Sequence, residues 1–241
     1  MNAKDKLIFA LDVESLKEAE EWVLRLKDYV GIFKVGKELF TKCGPKVVEK
    51  ILGHGAKVFL DLKFHDIPTT VAKAGIQAAR LGVSIFNVHA LGGREMMKRV
   101  VKDVGNVCEK EKITYPLIIA VTILTSLSNE ELKELGIINP VLDEVTVLAK
   151  IAKDSGLGGV VCSPKEISII KNECGRNFKV ITPGIRGKNF PPDDQKRTAT
   201  ASEAVISGSD FIVVGRPIRN ASDPARAARE ILEEIESVQT G

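Results

Sequence analysis

Short apolar runs alternate with longer amphipathic segments along nearly the whole chain. Short apolar runs bounded by turn residues are typical of buried strands, whereas apolar residues spaced at a period near 3.6 are typical of helices. We predict eight strands, at 7–11, 32–35, 58–62, 84–88, 117–121, 159–162, 180–182 and 211–214. A helical segment is expected after each, with starts near Ser15, Pro45, Pro68, Gly92, Pro140, Pro164 and Asp223.

This alternation predicts an α/β fold, the (β/α)8 or TIM barrel, in which eight parallel strands close on themselves. The length of 241 residues fits one such domain, so we expect residues 1–241 to form a single catalytic barrel. A doubly wound open sheet is the structural alternative. It often carries a glycine-rich turn after its first strand, and the segment that follows Leu11 lacks one.

Composition and charge narrow the classes of function. The 35 basic and 32 acidic residues nearly balance, and aromatic residues are scarce, which gives nucleic-acid binding little support. The four cysteines form no Cys-x-x-Cys pair and predict neither zinc nor redox chemistry. Because the N-terminal apolar run is too short for a signal peptide or a membrane span, we expect a cytoplasmic protein without a membrane partner.

The segment at 59–68, with sequence FLDLKFHDIP, is the most informative part of the chain. Successive side chains of a strand point to opposite faces of the sheet, so Asp61 and Lys63 share one face and Leu60 and Leu62 share the other. In a barrel the leucines would be covered by helices. Asp61 and Lys63 would then lie inside, near the mouth, where barrel enzymes build their active sites.

Two neighbouring strands also end in charge, at Asp12 and Lys34. A buried charge is costly unless it is paired, so we expect these residues to alternate in sign with Asp61 and Lys63, with Asp66 in the loop just beyond. An ion-pair network that only satisfies itself is one alternative, and a Schiff-base lysine is another. Flanking carboxylates favour a charged ammonium, which suits proton donation to a carbanion better than Schiff-base formation.

The end of the eighth strand predicts a phosphate site. The loops after strands seven and eight of many barrels hold phosphate on backbone N–H groups. Here Gly215 permits close backbone approach, and Arg216 can donate two hydrogen bonds to phosphate oxygens. Arg186 and Gln195, in the long polar loop at 183–198, can close over the same anion. The alternative for Arg216 is a surface arginine that caps the last helical region.

His65 and His89 also fall at predicted strand ends. Together with a nearby aspartate they could form a metal site, or they could hydrogen-bond and position their neighbours. We favour the second interpretation and predict no metal, because lysines in the same mouth would repel a divalent cation.

The sequence also resembles a known family in a series of short blocks. The segment DLKFHDIPTT at 61–70 resembles the signature of the orotidine 5'-monophosphate decarboxylase family. Further blocks similar to that family, in its order, are FALD at Asp12, FKVG at Lys34, NVHA at His89, LTS at 124–126, TPGIR at 182–186, DQKR at Gln195 and VGRPI at Arg216. The aspartate–lysine motif alone occurs in a wider group of sugar-phosphate barrels, whereas the whole set is specific.

This resemblance implies a reaction without a cofactor, the decarboxylation of orotidine 5'-monophosphate to uridine 5'-monophosphate and carbon dioxide in pyrimidine biosynthesis. Lys63 would protonate C6 of the pyrimidine, and Asp61 would lie beside the departing carboxylate. Lys34 and Asp66 would complete the charged array, and Asp12 and Lys34 would hold the ribose hydroxyls.

The resemblance further implies a homodimer, in which Asp66, Ile67 and Thr70 reach into the partner's site. The remaining substrate contacts would be Thr125 or Ser126 at the pyrimidine ring, Pro183 beside it, and Arg186, Gln195, Gly215 and Arg216 at the 5'-phosphate.

Two rival functions remain open at this point. A keto-gulonate phosphate decarboxylase or hexulose phosphate synthase would share the Asp-x-Lys core but would require magnesium. A silent nucleotide-binding protein would keep Gln195 and Arg216 but would not need Lys34, Asp61, Lys63 and Asp66.

Overall fold

Eight parallel strands pair in chain order, and the last pairs with the first to close a barrel. The protein is described here by a computed structural model that covers residues 2–186 and 198–238. The strands β1 to β8 are Leu7–Leu11, Ile32–Gly36, Lys57–Phe64, Ile85–His89, Leu117–Val121, Gly159–Val161, Lys179–Thr182 and Phe211–Val214. The prediction of a closed barrel is confirmed, and the open-sheet alternative is wrong because β8 hydrogen-bonds to β1.

Most helices of the described ranges lie between successive strands along the chain, while one precedes the first strand and two follow the last. They are α1 to α12, at Ala3–Lys6, Leu16–Leu26, Lys37–Cys43, Lys46–Gly53, Pro68–Arg80, Gly93–Glu111, Asn129–Glu134, Val141–Asp154, Ile167–Cys174, Ala201–Ile206, Arg216–Arg219 and Pro224–Ser237. The predicted starts are confirmed to within a few residues; the one near Pro164 is a 3₁₀ turn that leads into α9. The short helices α1, α3, α7 and α11 were not predicted, and the helix expected after β7, which is α10, had no predicted start. None of the helices in the described part of the chain is long and apolar enough to cross a membrane.

Two apolar layers hold the barrel together. Ile8, Ile32, Phe59 and Ile181 are among the residues that fill its interior, while residues of the opposite strand face, such as Phe9, pack under the helices. This period of two along each strand is what a sheet requires when both of its faces are buried. Residues two positions beyond the interior apolar set therefore lie at the mouth of the barrel.

Strand β3 departs from regular geometry close to the mouth. Its pairing with β4 shifts register between Leu60 and Phe64, and Lys63 within this stretch has a left-handed backbone with φ of 54°. Leu60 and Leu62 nevertheless pack in the layer beneath the helices, as the alternation predicts. The register shift therefore changes the backbone conformation at Lys63 without changing which face the two leucines occupy.

Candidate active site

The charged residues at the mouth continue the inward rows of three adjacent strands. Ala10, Ile32 and Phe59 belong to the interior apolar cluster. Two residues further along the same strand faces come Asp12, Lys34 and Asp61, in that order. Lys34 pairs in register with Ala10 on one side and Phe59 on the other, which places its side chain between those of the two aspartates.

The side chains alternate in sign along a continuous chain of contacts. Lys34 Nζ lies 3.3 Å from Asp12 Oδ1 and 3.5 Å from Asp61 Oδ2. Lys63 Nζ lies 2.6 Å from Asp61 Oδ1. The predicted array of Asp12, Lys34, Asp61 and Lys63 is therefore formed within this one chain, and each ammonium has a carboxylate beside it.

Asp61 is the most enclosed carboxylate of this array, with 13% of its side chain exposed. Burial by itself raises the pKa of Asp61, but the charges of Lys34 and Lys63 and the hydrogen bonds from Lys63 and Asn87 outweigh burial and lower the pKa below its ordinary value. Asp61 is consequently an anion at neutral pH, and it holds the Lys63 ammonium in a defined position.

Two glycines leave room for this array. A Cβ added at Gly36 would lie 3.3 Å from Lys34 Nζ, so a larger residue would crowd the ammonium. A Cβ added at Gly215 would lie 3.5 Å from Asp12 Oδ2. The backbone after β8 therefore lies against the Asp12 end of the array, which links the predicted phosphate site to the charged site.

A cavity of about 180 Å³ opens beside the array. Its walls are mainly apolar and come from several strands, with charge concentrated on one side. The lining residues are Lys34, Phe59, Asp61, Lys63, Val121, Ile123, Leu124, Thr125, Val161, Ile181, Pro183 and Val213. A concave apolar site with a few convergent polar groups is the usual form of a small-molecule site.

The cavity distinguishes between the two hydroxyl residues that follow β5. Thr125 lines the cavity and is partly buried, whereas Ser126 is exposed and is absent from the lining. Pro183, which was predicted as a substrate contact, also lines the cavity. Thr125 is therefore the better placed hydroxyl for a ring bound beside Asp61 and Lys63.

Arg186, Gly215 and Arg216, three of the four predicted phosphate residues, follow β7 or β8. Gly215 follows β8 directly, and Arg216 begins the short helix α11. Arg186 is partly buried, and its Nη1 donates a hydrogen bond to the carbonyl oxygen of Ile185 at 2.8 Å. Gln195 and the remainder of the predicted lid at 187–194 lie outside the described residues.

Asp66, Ile67 and Thr70 are exposed, whereas Lys34, Asp61 and Lys63 of the charged array are partly buried. Ile67 is 66% exposed. Asp66 Oδ1 accepts a hydrogen bond from the Ile67 N–H at 2.6 Å. The three residues thus lie together at the start of α5 and face solvent.

The two histidines pack against each other. The rings of His65 and His89 are stacked, with centroids 5.3 Å apart, and His89 Nδ1 accepts a hydrogen bond from the Leu91 N–H. Burial, together with positive charge from His65, Lys63 and Lys37, lowers the pKa of His89 to about 4. His89 is therefore neutral near pH 7. Within residues 2–186 and 198–238, no cluster of three His, Cys, Asp or Glu side chains could hold a metal ion.

Two residues that support the array were missed by the sequence predictions. Asn87 is completely buried on β4, and its Nδ2 donates to Asp61 Oδ1 at 2.6 Å. Arg219 on α11 donates to the backbone carbonyl of Asp12, which ties the end of β1 to α11. The signal for Asn87 was its inward position, two residues before His89. No sequence signal indicated Arg219, since its contact joins residues at opposite ends of the chain.

Comparison with known proteins gives the family. Residues 5–231 match the family described as Orotidine 5'-phosphate decarboxylase / HUMPS family. The chain is 55% identical over 235 residues to the orotidine 5'-phosphate decarboxylase of Syntrophotalea carbinolica, covering 98% of this chain and 96% of that protein. It is 51% identical to that of Geobacter sulfurreducens over 233 residues, covering 97% of each.

A solved structure agrees with these sequence relatives. The crystal structure of orotidine 5'-phosphate decarboxylase from Lactobacillus acidophilus is 40% identical in sequence and superposes with a TM-score of 0.84. The superposition covers 95% of this chain and 98% of that one. By sequence, fold and the arrangement of its mouth, this chain belongs to the orotidine 5'-phosphate decarboxylase / HUMPS family.

Proposed function

We propose that this protein decarboxylates orotidine 5'-monophosphate to uridine 5'-monophosphate and carbon dioxide, as a step of pyrimidine biosynthesis. The observation that carries the proposal is the alternating array of Asp12, Lys34, Asp61 and Lys63 beside an apolar cavity at the barrel mouth. Relatives that share about half of its residues are named for this activity. The family description also covers a second group, and the names of these relatives favour the first.

The chemistry explains why such an array is needed. When the bond from C6 to the carboxylate breaks, carbon dioxide leaves and the electron pair stays on C6 in an orbital in the plane of the ring. No carbonyl group is conjugated with that orbital, so stabilisation has to be electrostatic. The fixed ammonium of Lys63 supplies it, and the apolar walls strengthen the interaction by excluding water.

Proton transfer completes the reaction. Lys63 Nζ gives one proton to C6, which forms uridine 5'-monophosphate and leaves a neutral amine that solvent protonates again. Asp61 Oδ1, at 2.6 Å from Lys63 Nζ, orients the ammonium before the reaction. Lys34 lies beside Asp61 Oδ2 and lowers the pKa of Asp61, which keeps the carboxylate ionised. Atoms and charge balance without any added oxidant or reductant.

The order of groups along the mouth matches the order of groups in the nucleotide. The pyrimidine would lie by Lys63, Thr125 and Pro183, and the ribose hydroxyls would lie by Lys34 and Asp12. Gly215 adjoins Asp12, so the 5'-phosphate would lie at the ends of β7 and β8 with Arg186, Gln195 and Arg216. Phosphate binding far from C6 would then supply energy for ordering the site around the reacting ring.

A homodimer is part of the proposal. Asp66 and Thr70 are exposed polar residues, and between them Ile67 is an exposed hydrophobic residue. A single exposed apolar residue does not by itself mark an interface, so the dimer is proposed from the family resemblance at these three positions. We expect all three to enter the partner's site, with Asp66 as a fifth charged member of the array. We further expect the whole chain, 1–241, to act as one catalytic domain in the cytoplasm.

The direct test is the ultraviolet absorbance of orotidine 5'-monophosphate mixed with the purified protein in excess EDTA. We expect rapid conversion to the uridine nucleotide, and we expect Lys63→Ala to lower kcat by about 1,000-fold or more because one group both stabilises and protonates C6. Lys110→Ala, which changes an exposed lysine at the end of α6, is the matched control and should keep full activity.

Three results would contradict the proposal. Activity that is lost in EDTA and restored by magnesium would favour the sugar-phosphate enzymes. A folded protein that binds uridine 5'-monophosphate without turnover would favour the silent nucleotide-binding protein. Normal turnover by Lys63→Ala would remove the proton-donor assignment.

A further inference from the structure

Asn87 is a fully buried polar residue that contacts the catalytic array from β4. Its Nδ2 donates a hydrogen bond to Asp61 Oδ1 at 2.6 Å, and its Oδ1 accepts a hydrogen bond from the backbone N–H of Lys63 at 2.8 Å. One carboxamide thus contacts both the carboxylate that orients the Lys63 ammonium and the main chain that carries it.

The orientation of this carboxamide follows from its partners. The Lys63 N–H can only donate, and the ionised Asp61 carboxylate can only accept. A flipped amide would set two donors against each other at Lys63 and two acceptors against each other at Asp61. Because the residue is buried away from water, both mismatches would go uncompensated.

The Lys63 backbone at this point is strained. Its φ of 54° lies in the left-handed region, which costs a residue with a Cβ on the order of 1–2 kcal/mol. The residue lies where the pairing between β3 and β4 shifts register, and there its N–H bonds to the Asn87 side chain. Asn87 therefore supports a conformation that the strand alone would not favour.

We infer that Asn87 is a positioning residue for the decarboxylation proposed above, holding the Lys63 backbone in its left-handed conformation and the Asp61 carboxylate against the Lys63 ammonium. Asn87 has no place in the cavity lining and touches the reaction only through these two residues. A displacement of about 1 Å at a reacting group can lower a rate by about 100-fold, so this support affects turnover more than substrate affinity.

The first test compares kcat and KM of the wild type with those of Asn87→Ala. We expect kcat to fall by about 100-fold as the Lys63 ammonium moves away from its working position. We expect KM and the Kd of uridine 5'-monophosphate to stay close to their wild-type values, because the phosphate and ribose contacts lie on other strands. The inference would be overturned if Asn87→Ala had the kcat of the wild type, or if its lower kcat were fully explained by the fraction of the variant that is unfolded.

The second test uses Asn87→Asp, which keeps the shape of the side chain. The charged groups that face this position are Asp61 and Lys63 on β3, with Lys34 behind Asp61. The neutral His89 lies further along β4, and the register partner of Asn87 on β5 is the apolar Ile119. The protonated form of the introduced carboxyl can donate to Asp61 as the amide does, whereas its ionised form repels Asp61.

The ratio of variant to wild-type kcat should therefore rise as the pH falls from about 8 to about 5, since the protonated carboxyl is the form that restores the hydrogen bond. A ratio that does not change with pH would contradict the inference. Asp210→Asn is the matched control: Asp210 is a partly buried carboxylate that accepts hydrogen bonds from Lys171 and from the Val180 N–H at the opposite end of the barrel. It should lower the free energy of unfolding and leave kcat and its pH profile unchanged.

A crystal structure of Asn87→Ala separates failure of this inference from failure of the proposed function. We expect the φ of Lys63 to become negative and its Nζ to move beyond 4 Å from Asp61, whatever the substrate of the enzyme proves to be. An unchanged Lys63 backbone would overturn the positioning role. An inactive wild type would overturn the proposed function instead.

Discussion

Asp61 accepts hydrogen bonds from Lys63 and Asn87 through one oxygen and pairs with Lys34 through the other. A carboxylate buried to this extent is stable as an anion only when its oxygens are satisfied. Removing either lysine leaves charge uncompensated and removing Asn87 leaves a carboxylate oxygen short of a hydrogen bond, so the residues of this site depend on each other. For the same reason, the effects of their substitutions will not add.

Thr125 and Ser126 are adjacent hydroxyl residues with different surroundings. Thr125 lines the cavity and Ser126 faces solvent. We expect Thr125→Ala to lower kcat/KM for orotidine 5'-monophosphate by about 10-fold, which corresponds to the loss of one hydrogen bond to the ring. Ser126→Ala is the control and should change kcat/KM little. A larger effect of Ser126→Ala in steady-state assays would show that the loop closes differently around substrate.

At the scale of elements, the strands were easier to predict than the short helices. A strand buried on both faces is a continuous apolar run, as at Leu117–Val121 and Phe211–Val214, where the predicted bounds match the structure. Helices α7 and α10 are six residues each, too short for a clear apolar period. Each begins with a capping box, at Ser128 and Thr200, and that signal could have located them.

Close packing between β6 and β7 depends on a glycine at the start of β6. A Cβ added at Gly159 would lie 2.2 Å from the carbonyl oxygen of Lys179, a backbone atom that the strand pairing holds in place. We expect Gly159→Ala to lower the free energy of unfolding in urea by about 3 kcal/mol, because the two strands must move apart.

Gly53→Ala is the matched control for that change. Gly53 ends α4, and an added Cβ would meet no atom within 4 Å. We expect this variant to be as stable as the wild type or more stable by about 0.5–1 kcal/mol, since alanine loses less backbone entropy in a helix than glycine. Equal destabilisation by both variants would show that loss of the glycine's flexibility, and not the contact with Lys179, is the cause.

At the scale of the whole molecule, barrel closure brings distant residues to one mouth. Asp12 after the first strand and Gly215 after the last are neighbours because β1 pairs with β8. All eight carboxyl ends of a parallel barrel meet on one face, and so a site can draw on residues from the whole length of the chain. The proposed dimer would add Asp66 to that face from a second subunit.

Mixing two inactive variants tests the shared site. Lys63→Ala removes the proton donor of a subunit's own site, and Asp66→Ala removes what that subunit is expected to give its partner. Random exchange should make half of the dimers mixed, each with one intact site, so activity should recover to about one quarter of the wild-type value. Each variant incubated alone under the same conditions is the control. Absence of recovery, with mixed dimers shown to form, would contradict a site shared between subunits.

The sequence by itself determined the barrel and most of the charged mouth. Short continuous apolar runs predict the strands, and the alternating direction of side chains along a strand gives the inward faces. Charge at the ends of adjacent strands must be neutralised by neighbours, so Asp12, Lys34, Asp61 and Lys63 could be placed together. The tertiary structure alone decided the left-handed backbone of Lys63, the role of Asn87 and the tie from Arg219 to Asp12. These features depend on register shifts and on contacts between residues far apart in the chain, which no local pattern of hydrophobic and polar residues encodes.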